Sequence, residues 1–135
     1  NGLIDTGSSR AFAERIISDY QVKCSSPEAR TRLLSGGNMQ KLILGREFED
    51  DPIVLVVAQP TRGLDVGAIE TIHSYLREAA ARGVAILLMS EDLDEIRALA
   101  DRILVVYEGE VVGELRAGAA SIEELGYLMA GGTGE

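Results

Sequence analysis

The chain has 135 residues, with 13 lysines and arginines against 22 aspartates and glutamates, a formal net charge of −9. Hydrophobic residues make up 46%, so the composition is that of one soluble globular domain and excludes a disordered chain. The acidic balance argues against free nucleic-acid binding, a single cysteine (Cys24) excludes an internal disulfide, and a single histidine (His73) excludes a multi-histidine metal site.

The first residues, Asn1 to Thr6, carry neither a signal-peptide pattern nor an initiator Met, which suggests a piece of a longer protein. Phe12, Ile16, Ile17 and Tyr20 recur at helical spacing and predict a helix in the N-terminal third. Cys24 is read as a small core or boundary residue. Ser26-Pro27 reads as an N-cap and first helical position. After Leu33-Leu34 comes Ser35-Gly36-Gly37-Asn38, opening a helix to about Glu49 that the solvated Asp50-Asp51 pair and Pro52 close.

Ile53 to Ala58 is a β-branched apolar run, predicted as a strand buried on both faces. Pro60 to Asp65 is a loop. Ile69, Ile72, Leu76 and Ala79 mark the apolar face of the next helix, with His73 on its polar side among Glu70 and Arg77, and Arg82-Gly83 ends it. Val84 to Met89 is a second buried strand. Leu93, Ile96 and Leu99 mark a shorter helix, whose start (Glu91, Asp92, Asp94, Glu95) is acidic and complements the helix dipole. Ile103 to Tyr107 is a third strand, turned by Glu108-Gly109 into a fourth around Val111 to Leu115. Ser121-Ile122-Glu123-Glu124 is a capping box that opens a final short helix. The alternation of strand and helix predicts a parallel α/β sheet with right-handed crossovers. Ligands of such sheets sit at the carboxyl ends of the strands, here near Ala58, Ser90 and Tyr107.

Three motifs carry possible chemistry. In Leu34 to Lys41, two glycines at a helix start leave backbone N–H groups and the positive dipole end facing outward, and Ser35 adds a hydroxyl. This suits a phosphate, and it also suits an ordinary helix cap. Gln59-Pro60-Thr61-Arg62-Gly63-Leu64-Asp65 follows the first buried strand; it reads either as a site or as a connection in which Asp65 caps the next helix. Ser90-Glu91-Asp92 ends the second strand and by itself reads as a cap.

In combination, the order of these motifs resembles the second half of an ATP-binding cassette (ABC) transporter ATPase over roughly residues 33–115. Leu34 to Lys41 resembles the family signature sequence. Ile53 to Gln59 stands in the Walker B position, Gly63-Leu64-Asp65 resembles the D-loop, and Glu91 stands where the switch histidine is expected. Pro60 to Ala68 most resembles the second cassette of fused simple-sugar and nucleoside importers. The resemblance implies a partial P-loop NTPase cassette of α/β class, mainly a parallel sheet with flanking helices. Residues 1–50 would be helical subdomain including the signature, 51–116 half of the α/β core, and 117–135 a C-terminal helix and tail.

The departures from the family pattern are informative. No Gly-x-x-x-x-Gly-Lys-Ser/Thr phosphate loop occurs, and the Q-loop is also missing. The Walker B Asp position is Ala58, which cannot hold magnesium. The catalytic carboxylate position is Gln59, whose amide can hydrogen-bond a water but cannot accept its proton. Glu91 in the switch position would add negative charge beside a γ-phosphate. The signature is intact. The resemblance therefore implies a cassette that lends Ser35, Gly36, Gly37 and Asn38 in trans to a nucleotide on a partner cassette, with Asp65 coupling the two and its own side silent. It further implies ATP and Mg²⁺ in a full transporter, transmembrane permease subunits and a solute-binding protein as partners, and a peripheral place on the cytoplasmic face of the plasma membrane. The isolated chain would be inactive and hold no cofactor or metal. Two alternatives remain: a cassette ATPase of DNA maintenance or translation, which the charge disfavours, and a purely structural dimerisation module.

Overall fold

A computed structural model describes residues 5–132; residues 1–4 and the end of the expected C-terminal tail lie outside the described residues. In chain order the elements are α1 (Thr6–Asp19), a 3₁₀ turn (Thr31–Leu33), α2 (Gly36–Phe48), β1 (Val54–Ala58), α3 (Val66–Ala81), β2 (Ala85–Met89), α4 (Leu93–Leu99), β3 (Arg102–Tyr107), β4 (Glu110–Arg116) and α5 (Ile122–Met129). The described residues form two compact units: residues 5–55 with 60–87, and residues 56–59 with 88–132.

In the first unit α1, α2 and α3 supply most of the core, with Ile16, Leu44, Phe48, Ile72, Leu76 and Ala79 buried. Asp5 caps α1 by accepting from the amides of Gly7 and Ser8. The Tyr20 ring stacks near Phe48 at 6.2 Å and meets Tyr75 edge-on at 5.3 Å. The Tyr75 hydroxyl donates to the Tyr20 carbonyl at 2.9 Å, tying the end of α1 to the middle of α3. Gly83, at φ +97°, follows the end of α3 as expected.

The second unit packs the β3–β4 hairpin and α5 around Ile103, Val105, Ala117, Ala120, Leu125 and Leu128. Glu108 (φ +48°) and Gly109 (φ +85°) form the two-residue turn between the strands, the left-handed pair that matches strand twist. Ser121 caps α5 by accepting from the Glu124 amide at 3.0 Å.

β1 and β2 form a parallel pair, in which the Ala85 amide donates to the Ile53 carbonyl at 2.9 Å and the Gln59 amide to the Met89 carbonyl at 2.8 Å. The α/β class holds. Several finer expectations do not. Among the described residues β3 is not hydrogen-bonded to β1 or β2; its partner is β4, antiparallel, across the Glu108-Gly109 turn that the sequence announced. β1 and β2 are not buried on both faces: Val54 and Val56 are each 60% exposed, and Leu87 and Met89 are also exposed, while Leu55 and Val57 point inward. An unbroken apolar run leaves the covered face undetermined, and here one face alone is covered.

Ser26-Pro27 opens no α-helix. The Ala29 amide donates to the Ser26 carbonyl at 3.0 Å and closes a turn, for which the fixed φ of Pro27 serves equally well. His73 is not on a solvated face; it is 6% exposed beside Ile72 and one turn before Leu76, because the buried stripe of α3 is rotated from Ile69 toward His73. At the start of α4, Glu95 is 3% exposed, so the acidic stretch is not uniformly solvated. Cys24 and Met39 are half-buried, and Asp50 and Asp51 are exposed at the end of α2.

Candidate functional site

The segment that resembles the family signature, Leu34 to Lys41, spans the start of α2. Ser35 is its N-cap, with the extended backbone (φ −64°, ψ 159°) a cap requires, and its hydroxyl accepts from the Asn38 amide at 3.4 Å. Gly36 and Gly37 are the first two helical residues, whose N–H groups have no acceptor within the helix. Asn38 is engaged at both ends of its amide. Nδ2 donates to the Ser35 hydroxyl at 2.8 Å, and Oδ1 accepts from the Lys23 backbone N–H at 2.7 Å. This side chain thus pins the helix start to the chain that follows α1. Ser35 and Gly36 are exposed, and Gly37 and Asn38 half-exposed.

Asp65 belongs to the same unit and is the N-cap of α3, its carboxylate accepting from the Ala68 amide at 2.9 Å. The starts of α2 and α3 pack together. A Cβ on Gly36 would stand 3.0 Å from Leu64 Cδ2, and one on Gly37 would stand 2.8 Å from Ala68 Cβ. The segments that resemble the signature and the D-loop are therefore brought close together within the first unit. The Asp65 cap was legible from its place before an apolar-periodic stretch. Leu64, Ala68 and the Lys23 amide carry no local signal, because their role comes from the packing of one helix on another.

Ala58, Gln59 and Glu91 belong to the second unit. Ala58 ends β1, and Gln59 follows it in the left-handed region at φ +50°, with its amide bonded to Met89 at the end of β2. Two residues beyond Met89 stands Glu91, exposed, before Asp92 caps α4 by accepting from the amides of Asp94 and Glu95. Ala58, Gln59 and Glu91, which by resemblance were expected at the Walker B and switch positions, therefore lie toward the carboxyl end of the β1–β2 pair. Buried Pro60 and Thr61 follow Gln59 in sequence. The donor set at this end does not fit a magnesium ion. Ala58, the last residue of the apolar run, offers a methyl group, Gln59 an amide, and no group of three metal-ligating side chains occurs among the described residues.

Solved structures share this arrangement of elements. A nucleotide-free ATP-binding cassette from an ABC transporter superposes with a TM-score of 0.72 at 23% identity, over 94% of this chain and 48% of the other. The dimeric post-hydrolysis state of an ATP-binding cassette bound to ADP and Pi superposes with a TM-score of 0.70 at 23% identity, over 87% and 50%. The fold is that of an ABC ATPase cassette.

Among the curated relatives of this chain are several import ATP-binding proteins. The guanosine import ATP-binding protein NupO of Bacillus subtilis is 45% identical over 98% of this chain and 26% of its own length. The glucose import ATP-binding protein TsgD13 of Haloferax volcanii is 50% identical over 96% and 24%. The ribose import ATP-binding protein RbsA of Bacillus subtilis is 42% identical over 97% and 27%. The chain spans about a quarter of the length of these relatives. No protein-family model matches it. Among the described residues no helix is long and apolar enough to cross a membrane.

Proposed function

We propose that this chain is the carboxyl-terminal half of the second, degenerate cassette of an ATP-binding subunit that powers import of a simple sugar or nucleoside. It supplies its signature in trans to a nucleotide on a partner cassette and does not hydrolyse at its own Walker B side. The observation that carries this reading is the asymmetry between the two groups of residues. The signature retains an exposed hydroxyl-bearing cap and two glycines at a helix start. The Walker B end retains no carboxylate at Ala58 or Gln59 and places an acidic Glu91 where a switch histidine is expected.

In the full transporter ATP and Mg²⁺ supply the phosphoryl chemistry at the competent site. Toward that site Ser35 offers a hydroxyl, and Gly36 and Gly37 offer backbone N–H groups at the positive end of α2. Asn38 keeps Ser35 in place by donating to its hydroxyl. Gln59 at the silent end can orient a water but takes no proton from it. Asp65 couples the cassettes through the loop that starts α3. Docking on transmembrane permease subunits, delivery by a solute-binding protein and a peripheral place on the cytoplasmic face of the plasma membrane complete the proposal. The names of the relatives, import proteins for guanosine, glucose and ribose, support it.

The test is Ser35→Arg in the full-length transporter. The long cation fills the space a phosphate would need at the start of α2, and ATP turnover is expected to fall by about 100-fold or more, of the order seen when a group that stabilises developing charge is removed. Unchanged turnover overturns the trans role.

A further inference from the structure

We propose that Ala68 is a positioning residue for the signature: its methyl group is the seat against which Gly37 closes, and it links the Asp65 loop mechanically to the start of α2. The inference rests on the trans-signature reading above and deepens it.

The starts of α2 and α3 approach closely at this point. A Cβ built on Gly37 would lie 2.8 Å from Ala68 Cβ, closer than such atoms come. Ala68 Cβ is fixed to the helix backbone and has no rotamer through which to yield. The neighbouring Gly36 differs, because its 3.0 Å neighbour is the end of the flexible Leu64 side chain. A side chain at 37 could therefore be accommodated only by moving one helix start away from the other. Ala68 is itself held from below, since its amide donates to Asp65 Oδ1 at 2.9 Å. On the opposite side the helix start is held by Asn38, bonded to Ser35 and to the Lys23 amide. Ser35 is thus set between two fixed supports, one from the chain after α1 and one from the first turn of α3. A displacement of the Asp65 loop passes through Ala68 to Gly37 with no flexible side chain intervening. In this arrangement residue 37 is glycine because of Ala68, whatever the nucleotide requires.

The experiment is a reciprocal exchange in the full-length transporter, read as ATP turnover per folded molecule at a temperature well below each variant's melting midpoint. Gly37→Ala is expected to lower turnover at least about tenfold, since small misplacements of a positioned group have effects of this size or larger. Ala68→Gly alone removes the seat and is expected to lower turnover about tenfold as well. Combining them returns one methyl group to the contact and is expected to restore turnover to within about threefold of the parent. A merely structural contact would move the melting midpoint and leave turnover of the folded molecules unchanged. A doubly substituted transporter as impaired as Gly37→Ala, or one that fails to fold, overturns the inference, as does a fully active Gly37→Ala or a fully active Ala68→Gly. Ser35→Arg measured in parallel separates the two levels. If it leaves turnover intact, the trans-signature reading fails; if it abolishes turnover while the exchange does not rescue, the Ala68 inference alone fails.

Discussion

Gln59 carries the least comfortable backbone among the residues considered for the site. Its φ of +50° places a side-chain-bearing residue in the left-handed region, and the following Pro60 narrows its freedom further. Such conformations cost on the order of 1 kcal/mol and persist only when the surroundings hold them. Gln59→Gly is therefore expected to stabilise the chain by up to about 1 kcal/mol, read as a higher urea midpoint at unchanged slope; a lower midpoint would show that the Gln59 side chain contributes more than its backbone costs. Local polar chemistry was well marked in the amino-acid order. Ser35, Asp65, Asp92 and Ser121 all cap the helices they precede, because a cap depends only on the residues that follow it. His73, Glu95 and Ala68 were not legible in this way. Their surroundings are set by other elements, and helical periodicity does not state how far a buried stripe is rotated.

α1, α2 and α3 are joined by an aromatic cluster that no motif announced. Tyr75 is half-buried on α3, and its hydroxyl donates to the Tyr20 carbonyl while the two rings meet edge-on. Tyr75→Phe keeps the ring and removes the hydrogen bond, so a loss of about 1 kcal/mol is expected in chemical denaturation. Burial raises the Tyr75 phenol above its ordinary value, with Glu78 adding to the effect. The folded chain therefore favours the neutral phenol. Stability from this group is fully present below the unfolded-state value and is lost as pH rises through the higher folded value, and Tyr75→Phe should flatten that part of the alkaline limb. The succession of helices and strands was readable from periodicity, with boundaries close to those observed. Strand neighbours were readable in part. The Glu108-Gly109 turn announced the antiparallel β3–β4 pair, and β1 and β2 pair in parallel as alternation with helices suggested, but a common sheet that also takes in β3 is not formed among the described residues.

At the scale of the whole molecule, composition suggested one domain, motif order suggested part of a cassette, and the described residues form two compact units. The fold of an ABC ATPase cassette was legible because several motifs occur in a fixed order, which single motifs would not have established. Most of the acidic charge is on exposed carboxylates and does not describe the start of α2, where the groups offered are a hydroxyl and backbone amides. One feature of β1 and β2 governs how the chain behaves at the bench. Val54, Val56, Leu87 and Met89 stand exposed on adjacent strands, and water gains by leaving such surface. A net charge of −9 opposes self-association at long range, but salt shortens that repulsion to about 8 Å at physiological ionic strength. The purified chain is therefore expected to be monodisperse only at low salt and low concentration. Light scattering should rise as sodium chloride is added, and Val56→Lys should suppress the rise by placing a charge among the exposed side chains. Scattering that stays flat for both proteins would show the apolar strands to be colloidally harmless.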